Sequence, residues 1–366
     1  MGYDTHSSWK PVNSESNICS LLVCGDGDLS FCAAIAPSLQ DADINLTATV
    51  LEDRETHQKI YQRSSENEEN IESCSNHKAQ YGIDATKLKE HFPNQSFDRI
   101  QFNFPHWRGK ANHRYNRQLI DAFLKSASEA ISDYGEIHMA LVQGQGGYSA
   151  ESLSEYRDTW TPSFFAAGHG LLLSEVKPFE ALYNLSSHRG VDRGFKIGSE
   201  PKMFIFRKAG KTSIPERNQL CCRHELHILL PGDEEANDEL HTREQTYSID
   251  DIISGDAVQQ IVQSVIPDGI RVQVPVRSIL QKDDTGYETA MAVFTIVYCG
   301  ESRAMKRESA DNYRQQVEIE VEKHIALREN RKGRLISKPF PHYLLDSILK
   351  ENSADGLIMK TKEATN

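Results

Sequence analysis

The chain has 366 residues and a formal net charge of −12, because 53 acidic residues outweigh 41 basic ones. That length allows two domains with cores of their own, and the acidic balance excludes a protein that attracts nucleic acid over its whole surface. No apolar run reaches the length of a membrane span. Seven cysteines without a secretory signal predict reduced thiols in an intracellular protein that is not secreted. The chain has no C-x-x-C pair, so we expect no metal site.

The first ordered stretch, residues 20–31, has the pattern of a buried strand, a glycine turn and the start of a helix. Gly25 and Gly27 allow the backbone to turn tightly and approach a ligand. We predict a helix over residues 31–39 with Ser30 as its cap, and its first N–H groups would face that ligand. Serine at position 30 replaces the third glycine of dinucleotide-binding turns, which favours nucleotide-like ligands without a pyrophosphate, S-adenosylmethionine being the commonest. An ordinary strand-to-helix turn is the alternative.

Two acidic residues follow at the ends of the next predicted strands. Glu52 ends a strand over residues 45–51, where nucleotide-binding sheets hold ribose hydroxyls. The alternative is that Glu52 and Asp53 are a solvated pair of acids that opens the helix predicted over residues 54–62. Asp84 lies in a third predicted strand, residues 81–86. It could accept a hydrogen bond from an adenine amino group, or it could cap the helix predicted over residues 87–92.

Polar and aromatic residues cluster where the strand predicted over residues 97–102 ends, at Asn103, Phe104, His106 and Trp107. Ligands of open α/β sheets bind at that edge. Five basic residues and no acidic one lie between positions 99 and 120: Arg99, Arg108, Lys110, Arg114 and Arg117. With Trp107 and Tyr115 between them, they form either a patch suited to phosphates and stacked bases or a solvated helix face.

Strands and helices alternate up to residue 208, which predicts a mostly parallel α/β sheet. The pattern then changes to β-α-β-β-α, the order of a smaller α+β, ferredoxin-like domain. Its strands are predicted over residues 225–230, 271–280 and 288–298, and its helices over residues 256–266 and 310–327. The predicted organisation is a loose segment 1–18, an α/β domain 19–209, a ferredoxin-like domain 220–330 and a tail 331–366.

Three stretches of the first domain carry a family resemblance. Residues 23–31 read V-C-G-D-G-D-L-S-F, residues 82–86 read G-I-D-A-T, and residues 97–106 read F-D-R-I-Q-F-N-F-P-H. They resemble the G-E-G-D-F-S-F, V-D-A-T and F-D-x-I-x-F-N-F-P-H signatures of the Rossmann-like methyltransferases that make 3-methyluridine in large-subunit ribosomal RNA. The sequence departs from them at Asp26, where the family favours Glu, and at Leu29, where it favours Phe.

The second region is similar to the anticodon-binding domain of phenylalanyl-tRNA synthetases, on residues 283–286, 290–298 and the helix before Leu327. The usual Arg-Asp opening of that domain is replaced by Arg223, His224 and Glu225. The whole chain thus resembles the ferredoxin-fold anticodon-binding domain-containing proteins, which join the two modules.

The resemblance implies an S-adenosylmethionine-dependent RNA methyltransferase acting on N3 of uridine, in the nucleolus, nucleus or cytoplasm. Ribosomal RNA is the favoured partner and tRNA the alternative, without a metal or a membrane. Asn103 would accept a hydrogen bond from N3–H or donate one to a base carbonyl, and Phe104 or Trp107 would stack on the base. His106 would be the general base or a structural histidine. The cofactor-binding candidates are Gly25, Asp26, Gly27, Glu52 and Asp84, and the substrate-binding candidates are Phe104, Trp107, Arg108, Lys110 and Arg114. A non-catalytic RNA- or tRNA-binding protein that keeps the fold as a scaffold is the other functional class.

Overall fold

The computed structural model describes residues 19–108, 112–180, 183, 191–210, 213–229, 253–274, 276–282, 288–326 and 334–345. These residues form two compact units, one ending at Asn218 and one beginning at Gln219. The segment 1–18 and most of the tail 331–366 lie outside the described residues. None of the described helices combines the length and apolar character that a membrane crossing needs.

The first unit is a seven-stranded sheet in the order β3-β2-β1-β4-β5-β7-β6. The first five strands run parallel, and β7 is antiparallel to both β5 and β6. The predicted Rossmann-like sheet is therefore confirmed. Its strands are β1 Ser20–Cys24, β2 Asn45–Thr49, β3 His77–Gln80, β4 Phe97–Asn103, β5 Ile131–Leu141, β6 Leu171–Pro178 and β7 Lys202–Lys208. Its α-helices are α1 Ser30–Asp41, α2 Arg54–Ile60, α3 Ser64–Glu72, α4 Leu88–His91, α5 His113–Ala130, α6 Leu153–Arg157 and α7 Pro162–Gly168.

Apolar packing covers the central strands. The buried face of α1, with Cys32 and Ile35, packs against Leu21 and Val23 of β1. From α5, the Phe123 ring meets the Phe102 ring of β4 edge-on, with centroids 5.0 Å apart. Since β1 and β4 are the innermost strands, this packing fixes the turns at their carboxyl ends.

Two elements of the first unit differ from the sequence prediction. The third strand is His77–Gln80, and the predicted strand 81–86 is instead a bend at Gly82, with φ 71°, followed by the 3-10 helix Ala85–Lys87. A short edge strand without apolar alternation leaves no periodic signal, whereas the Ile83 region imitates one. The sequence of residues 152–167 predicts one helix, but the structure has two, Leu153–Arg157 and Pro162–Gly168, because Thr161 adopts a left-handed φ of 46° and Pro162 starts a new helix.

The second unit has the order β10-β11-β8-β12, with β9 also paired to β11 and every pairing antiparallel. Two helices pack their apolar stripes, including Val262 and Val321, on one face of this sheet. This is a ferredoxin-like arrangement in which β12 is the last strand. The single strand predicted over residues 271–280 is instead two strands, β9 and β10, which pair with different parts of β11. The elements are β8 Leu220–Leu229, α8 Gly255–Val265, β9 Ile270–Gln273, β10 Val276–Lys282, β11 Glu288–Gly300, α9 Arg307–Ala326 and β12 Arg334–Leu345. Cys221 and Cys299, which face each other across β8 and β11, form a disulfide, so the expectation of reduced thiols is wrong for this pair.

A buried charged cluster lies in the first unit at Glu136. Its carboxylate binds Arg99 at 3.1 Å, His138 at 2.8 Å, and Arg207. Burial lowers the pKa of His138 from 6.5 to about 3, and the pKa of Glu136 is also lowered, because its three partners outweigh the opposing effect of burial. His138 is therefore neutral in the folded protein at neutral pH.

This cluster predicts acid sensitivity. Between pH 6.5 and about 3 the unfolded chain binds the His138 proton and the folded chain does not. The contribution of His138 to the free energy of unfolding should therefore fall as the pH drops through this window, by on the order of 1 kcal/mol per pH unit. Denaturant unfolding at several pH values would measure the slope, and His138→Gln should flatten it. An equally steep slope in this variant would contradict the assignment.

Candidate cofactor and substrate site

The turn after β1 lies at the carboxyl edge of the sheet, where β2 and β4 also end. Gly25 and Gly27 have positive φ angles of 60° and 44°, which favour glycine. A Cβ atom on Gly25 would lie 2.7 Å from Cε2 of Phe102. The turn therefore needs a small residue at position 25, and its backbone is open to close approach by a ligand.

The helix after this turn is capped differently from the prediction. Ser30 is its first residue, and the N-cap is Leu29 with φ 69°. Two carboxylates of the turn satisfy the first N–H groups: Asp28 accepts from Ser30 N at 3.1 Å, and Asp26 accepts from Cys32 N at 2.8 Å. Ser30 was thus the wrong cap, because a left-handed Leu29 lets the earlier aspartates reach the helix end.

Asp26 is held inside the turn rather than extended into solvent. Burial of its carboxyl raises the pKa to about 7, and the hydrogen bonds from Cys32 oppose the increase. A shorter acid than the family's glutamate can make this capping contact within its own turn. Its part in cofactor binding stays a prediction.

Two side chains that the sequence does not mark as site residues hydrogen-bond backbone carbonyls of the glycine turn. His57 on α2 hydrogen-bonds the Gly27 carbonyl at 2.6 Å, and Asn67 on α3 donates to the Asp28 carbonyl at 2.8 Å. Both side chains are buried. A histidine and an asparagine in polar helices have no spacing signal that connects them to a turn 30 or more residues earlier.

Glu52 and Asp53, which follow β2, have separate roles. Asp53 is the N-cap of α2 and accepts from Thr56 N at 2.9 Å, so the helix-opening alternative applies to Asp53. The Glu52 carboxylate lies 3.7 Å from the Arg108 guanidinium, and its side chain is 11% exposed. The structure thus brings a predicted cofactor residue and a predicted substrate residue together.

Asp84 caps a short 3-10 helix, Ala85–Lys87. One of its carboxylate oxygens, Oδ1, accepts from both the backbone N–H and the hydroxyl of Thr86, at 2.9 and 2.7 Å. The capping alternative therefore describes Asp84 in this structure. A contact with an adenine stays a prediction for the same carboxylate.

Asn103 ends β4 with its amide oriented by the sheet. Gln101 Nε2 donates to Asn103 Oδ1 at 2.9 Å, which leaves Nδ2 as the donor. This Nδ2 is buried and makes no hydrogen bond of normal geometry within the described residues, although the Tyr183 hydroxyl lies close enough to interact with Asn103. Burial raises the pKa of that hydroxyl well above its usual value. Asn103 is therefore arranged to donate rather than to accept.

Phe104 and His106, in the loop after Asn103, have different surroundings. Phe104 has φ 50° and packs with Ala140 and Met203, and its ring meets the Phe179 ring at 5.0 Å. The ring is therefore packed in the core in this structure, and its part in substrate binding stays a prediction. His106 is partly buried, and its Nδ1 donates to the Phe104 carbonyl at 3.0 Å. This contact fixes the Nδ1–H tautomer, so the lone pair is on Nε2.

Trp107 is 41% exposed and stacks on Tyr115, with ring centroids 5.5 Å apart and planes 19° from parallel. Its backbone N–H donates to Asn116 at 2.8 Å, which ties the loop to α5. Arg114 is exposed in the first turn of the same helix. Lys110 lies outside the described residues.

The five-residue basic patch is smaller than predicted. Arg99 is buried against Glu136, and Arg117 donates its guanidinium to the carbonyls of Arg157 and Thr159. Both are structural, because Arg99 is buried on β4 and the partly buried Arg117 on α5 is bonded to these two carbonyls. Among the described residues of this stretch, Arg108 and Arg114 are the exposed cations.

The chain is similar to known proteins over the region that contains the glycine turn and the Asn103 loop. Residues 22–188 match the sequence model of the family described as rRNA (uridine-N3-)-methyltransferase BTM5-like. Human ferredoxin-fold anticodon-binding domain-containing protein 1 is 32% identical over 226 residues, which cover 55% of this chain and 35% of that protein. Its mouse homologue is 34% identical over 186 residues, covering 48% and 29%. The chain therefore spans about a third of the length of these relatives.

Among solved structures, TrmN from Thermus thermophilus is similar with a TM-score of 0.34 and 18% identity, over 52% of this chain and 44% of that one.

An uncharacterised Arabidopsis thaliana protein is 30% identical over 185 residues, which cover 47% of this chain and 82% of that protein. The family match, which includes the glycine turn and the Asn103 loop, and the likeness to the Arabidopsis protein show that the chain belongs to the BMT5-like methyltransferase family.

Proposed function

We propose that the protein is an S-adenosylmethionine-dependent methyltransferase that modifies N3 of a uridine in large-subunit ribosomal RNA. The observation that carries the proposal is the meeting of three features at one sheet edge: the glycine turn, Glu52 and the Asn103–Trp107 loop. Family membership supports RNA methylation, and the uridine and the ribosomal RNA are the specific part of the proposal.

The residues at this edge fit the cofactor. The turn at Gly25 and Gly27 keeps backbone exposed where a Cβ atom at position 25 would collide with Phe102. Glu52, on the neighbouring strand end, presents a mostly buried carboxylate suited to ribose hydroxyls. S-adenosylmethionine supplies an electrophilic methyl group on a positively charged sulfur.

Asn103 and His106 then have complementary tasks toward a uracil. Asn103 Nδ2 donates a hydrogen bond to a base carbonyl and orients the ring. His106 Nε2 accepts the proton that leaves N3 while the new N–C bond forms, and the Phe104 carbonyl stabilises the resulting imidazolium through Nδ1–H. The base has to be unstacked to reach this edge.

Trp107 and Tyr115 form the surface on which an RNA base stacks, with Arg108 and Arg114 beside it for phosphates. We expect Trp107→Ala to weaken RNA binding about tenfold, because base stacking on an aromatic ring contributes roughly 1–3 kcal/mol. Filter binding with ribosomal RNA fragments measures the change. Tyr134→Ala is the matched control, since Tyr134 is 69% exposed at the start of β5, away from the carboxyl edge. Equal losses in the two variants would contradict this assignment.

Calorimetry with S-adenosylmethionine tests the proposed function against the second candidate, a non-catalytic RNA-binding protein. The ferredoxin-like unit keeps that candidate open, because it resembles an RNA-binding module. Micromolar binding of the full chain supports the enzyme. RNA binding without any affinity for S-adenosylmethionine would favour the scaffold.

A further inference from the structure

We propose that His57 and Asn67 are positioning residues of the cofactor turn, holding the carbonyls of Gly27 and Asp28 in fixed orientations. In what it says about the cofactor, this inference rests on the proposed function. The two residues lie on α2 and α3, outside the turn, the Glu52 strand end and the Asn103 loop.

His57 is buried completely and bonds the turn through one ring nitrogen. A carbonyl can only accept, so the 2.6 Å contact with Gly27 O requires a proton on Nε2. Tyr61 and Tyr81 fix the plane of the imidazole, with ring centroids 4.8 and 5.3 Å away. The donor is thus held in place before any ligand arrives.

Asn67 holds the next carbonyl in the chain. Its Nδ2 donates to Asp28 O at 2.8 Å, and the residue is 3% exposed. An ion pair between Arg54 and Glu68, at 3.0 Å, links α2 to α3. The two linked helices therefore hold two consecutive peptide groups of the turn, and we call this pair of hydrogen bonds the bracket.

The bracket controls which backbone groups the turn presents. In a planar trans peptide the C=O and N–H point in opposite directions. With the Gly27 carbonyl bonded to α2, the Asp28 N–H points away from α2. Because α2 begins directly after Glu52 and Asp53, the same helix also fixes the position of Glu52 relative to the turn. The two halves of the proposed cofactor site are thus held together by His57.

The test compares His57→Phe with His57→Gln and with the same change at a second buried histidine, His77→Phe. Phenylalanine keeps a ring but loses the donor, whereas the glutamine Nε2 can replace that of histidine. His77→Phe is the control, because His77 is also buried and its Nε2 contacts a carbonyl, Ile44 O, at 3.1 Å, away from the turn. We expect His57→Phe to weaken S-adenosylmethionine binding about tenfold, His57→Gln to restore most of it, and His77→Phe to leave it unchanged.

Hydrogen exchange of the ligand-free protein gives a second readout that does not depend on the cofactor. The Asp26 and Leu29 amides, which bond Thr49 O and Asp26 O, should exchange faster in His57→Phe and not in His77→Phe. If His57→Phe does not fold, Asn67→Ala takes its place. Unchanged exchange at these amides, or equal affinity losses in the His57 and His77 variants, would overturn the inference. A wild-type chain that binds no S-adenosylmethionine would overturn the proposed function, and the exchange result would still decide the positioning claim.

Discussion

Replacing Gly27 with valine is expected to weaken S-adenosylmethionine binding by at least about 100-fold, the size of effect that a misplaced site backbone produces. Gly27 has a φ of 44°, a conformation that a β-branched residue adopts only with strain. Its carbonyl is also the His57 acceptor, so the strain cannot be relieved by rotating the peptide without breaking that bond. Calorimetry on the folded variant measures the loss.

Gly170→Val is the control for backbone strain. Gly170 has a φ of 77°, no atom lies within 4 Å of its Cβ position, and it joins α7 to β6 at the opposite edge of the sheet. We expect a similar loss of stability there, with affinity for S-adenosylmethionine unchanged. A folded Gly27→Val protein that binds as tightly as wild type would move the cofactor away from this turn.

The second large effect is expected at Asn103. Asn103→Ala should lower kcat by roughly 10²–10³, because it removes a pre-oriented donor to a base carbonyl. Affinity for S-adenosylmethionine should change by less than about threefold, a range set by the loss of at most one weak hydrogen bond. Single-turnover methyl transfer with saturating RNA separates the chemical step from binding.

Asn103→Asp provides the sharper comparison. Aspartate keeps the shape of the side chain but replaces the Nδ2 donor with a charged acceptor, while Gln101 can still donate to the other oxygen. If donation is what matters, Asn103→Asp should be as slow as Asn103→Ala. Recovery of activity in the aspartate variant would show that Asn103 accepts from N3–H, the other role that the sequence allows.

The sequence could predict the frame of the site because its signals are local. The glycine turn, the acid after β2 and the proline that ends β4 are each written within a few residues, and the alternation of strands and helices orders them at one edge. Asp53 and Asp84, by contrast, show that an acid after a strand is as well suited to a helix cap as to a ligand.

The features of the site that the sequence did not predict depend on contacts between residues far apart in the chain. Phe104 and Trp107 are aromatic residues of the same loop, yet the left-handed backbone at Phe104 directs one ring to the core while the other is exposed. Arg99 and Arg117 add positive charge to the sequence pattern. In the structure, Arg99 forms an ion pair with Glu136, and Arg117 donates hydrogen bonds to two backbone carbonyls. The hydrogen bond of His57 to Gly27 spans 30 residues, which no periodicity encodes.

Under the proposed function, this chain transfers a methyl group to N3 of uridine in RNA. Its most direct test is incubation of the full chain with S-adenosylmethionine and unmodified large-subunit ribosomal RNA, followed by mass spectrometry of the nucleosides. We expect 3-methyluridine with the wild-type protein and almost none with Asn103→Ala. Methylation of a different nucleoside, or equal 3-methyluridine with both proteins, would contradict it.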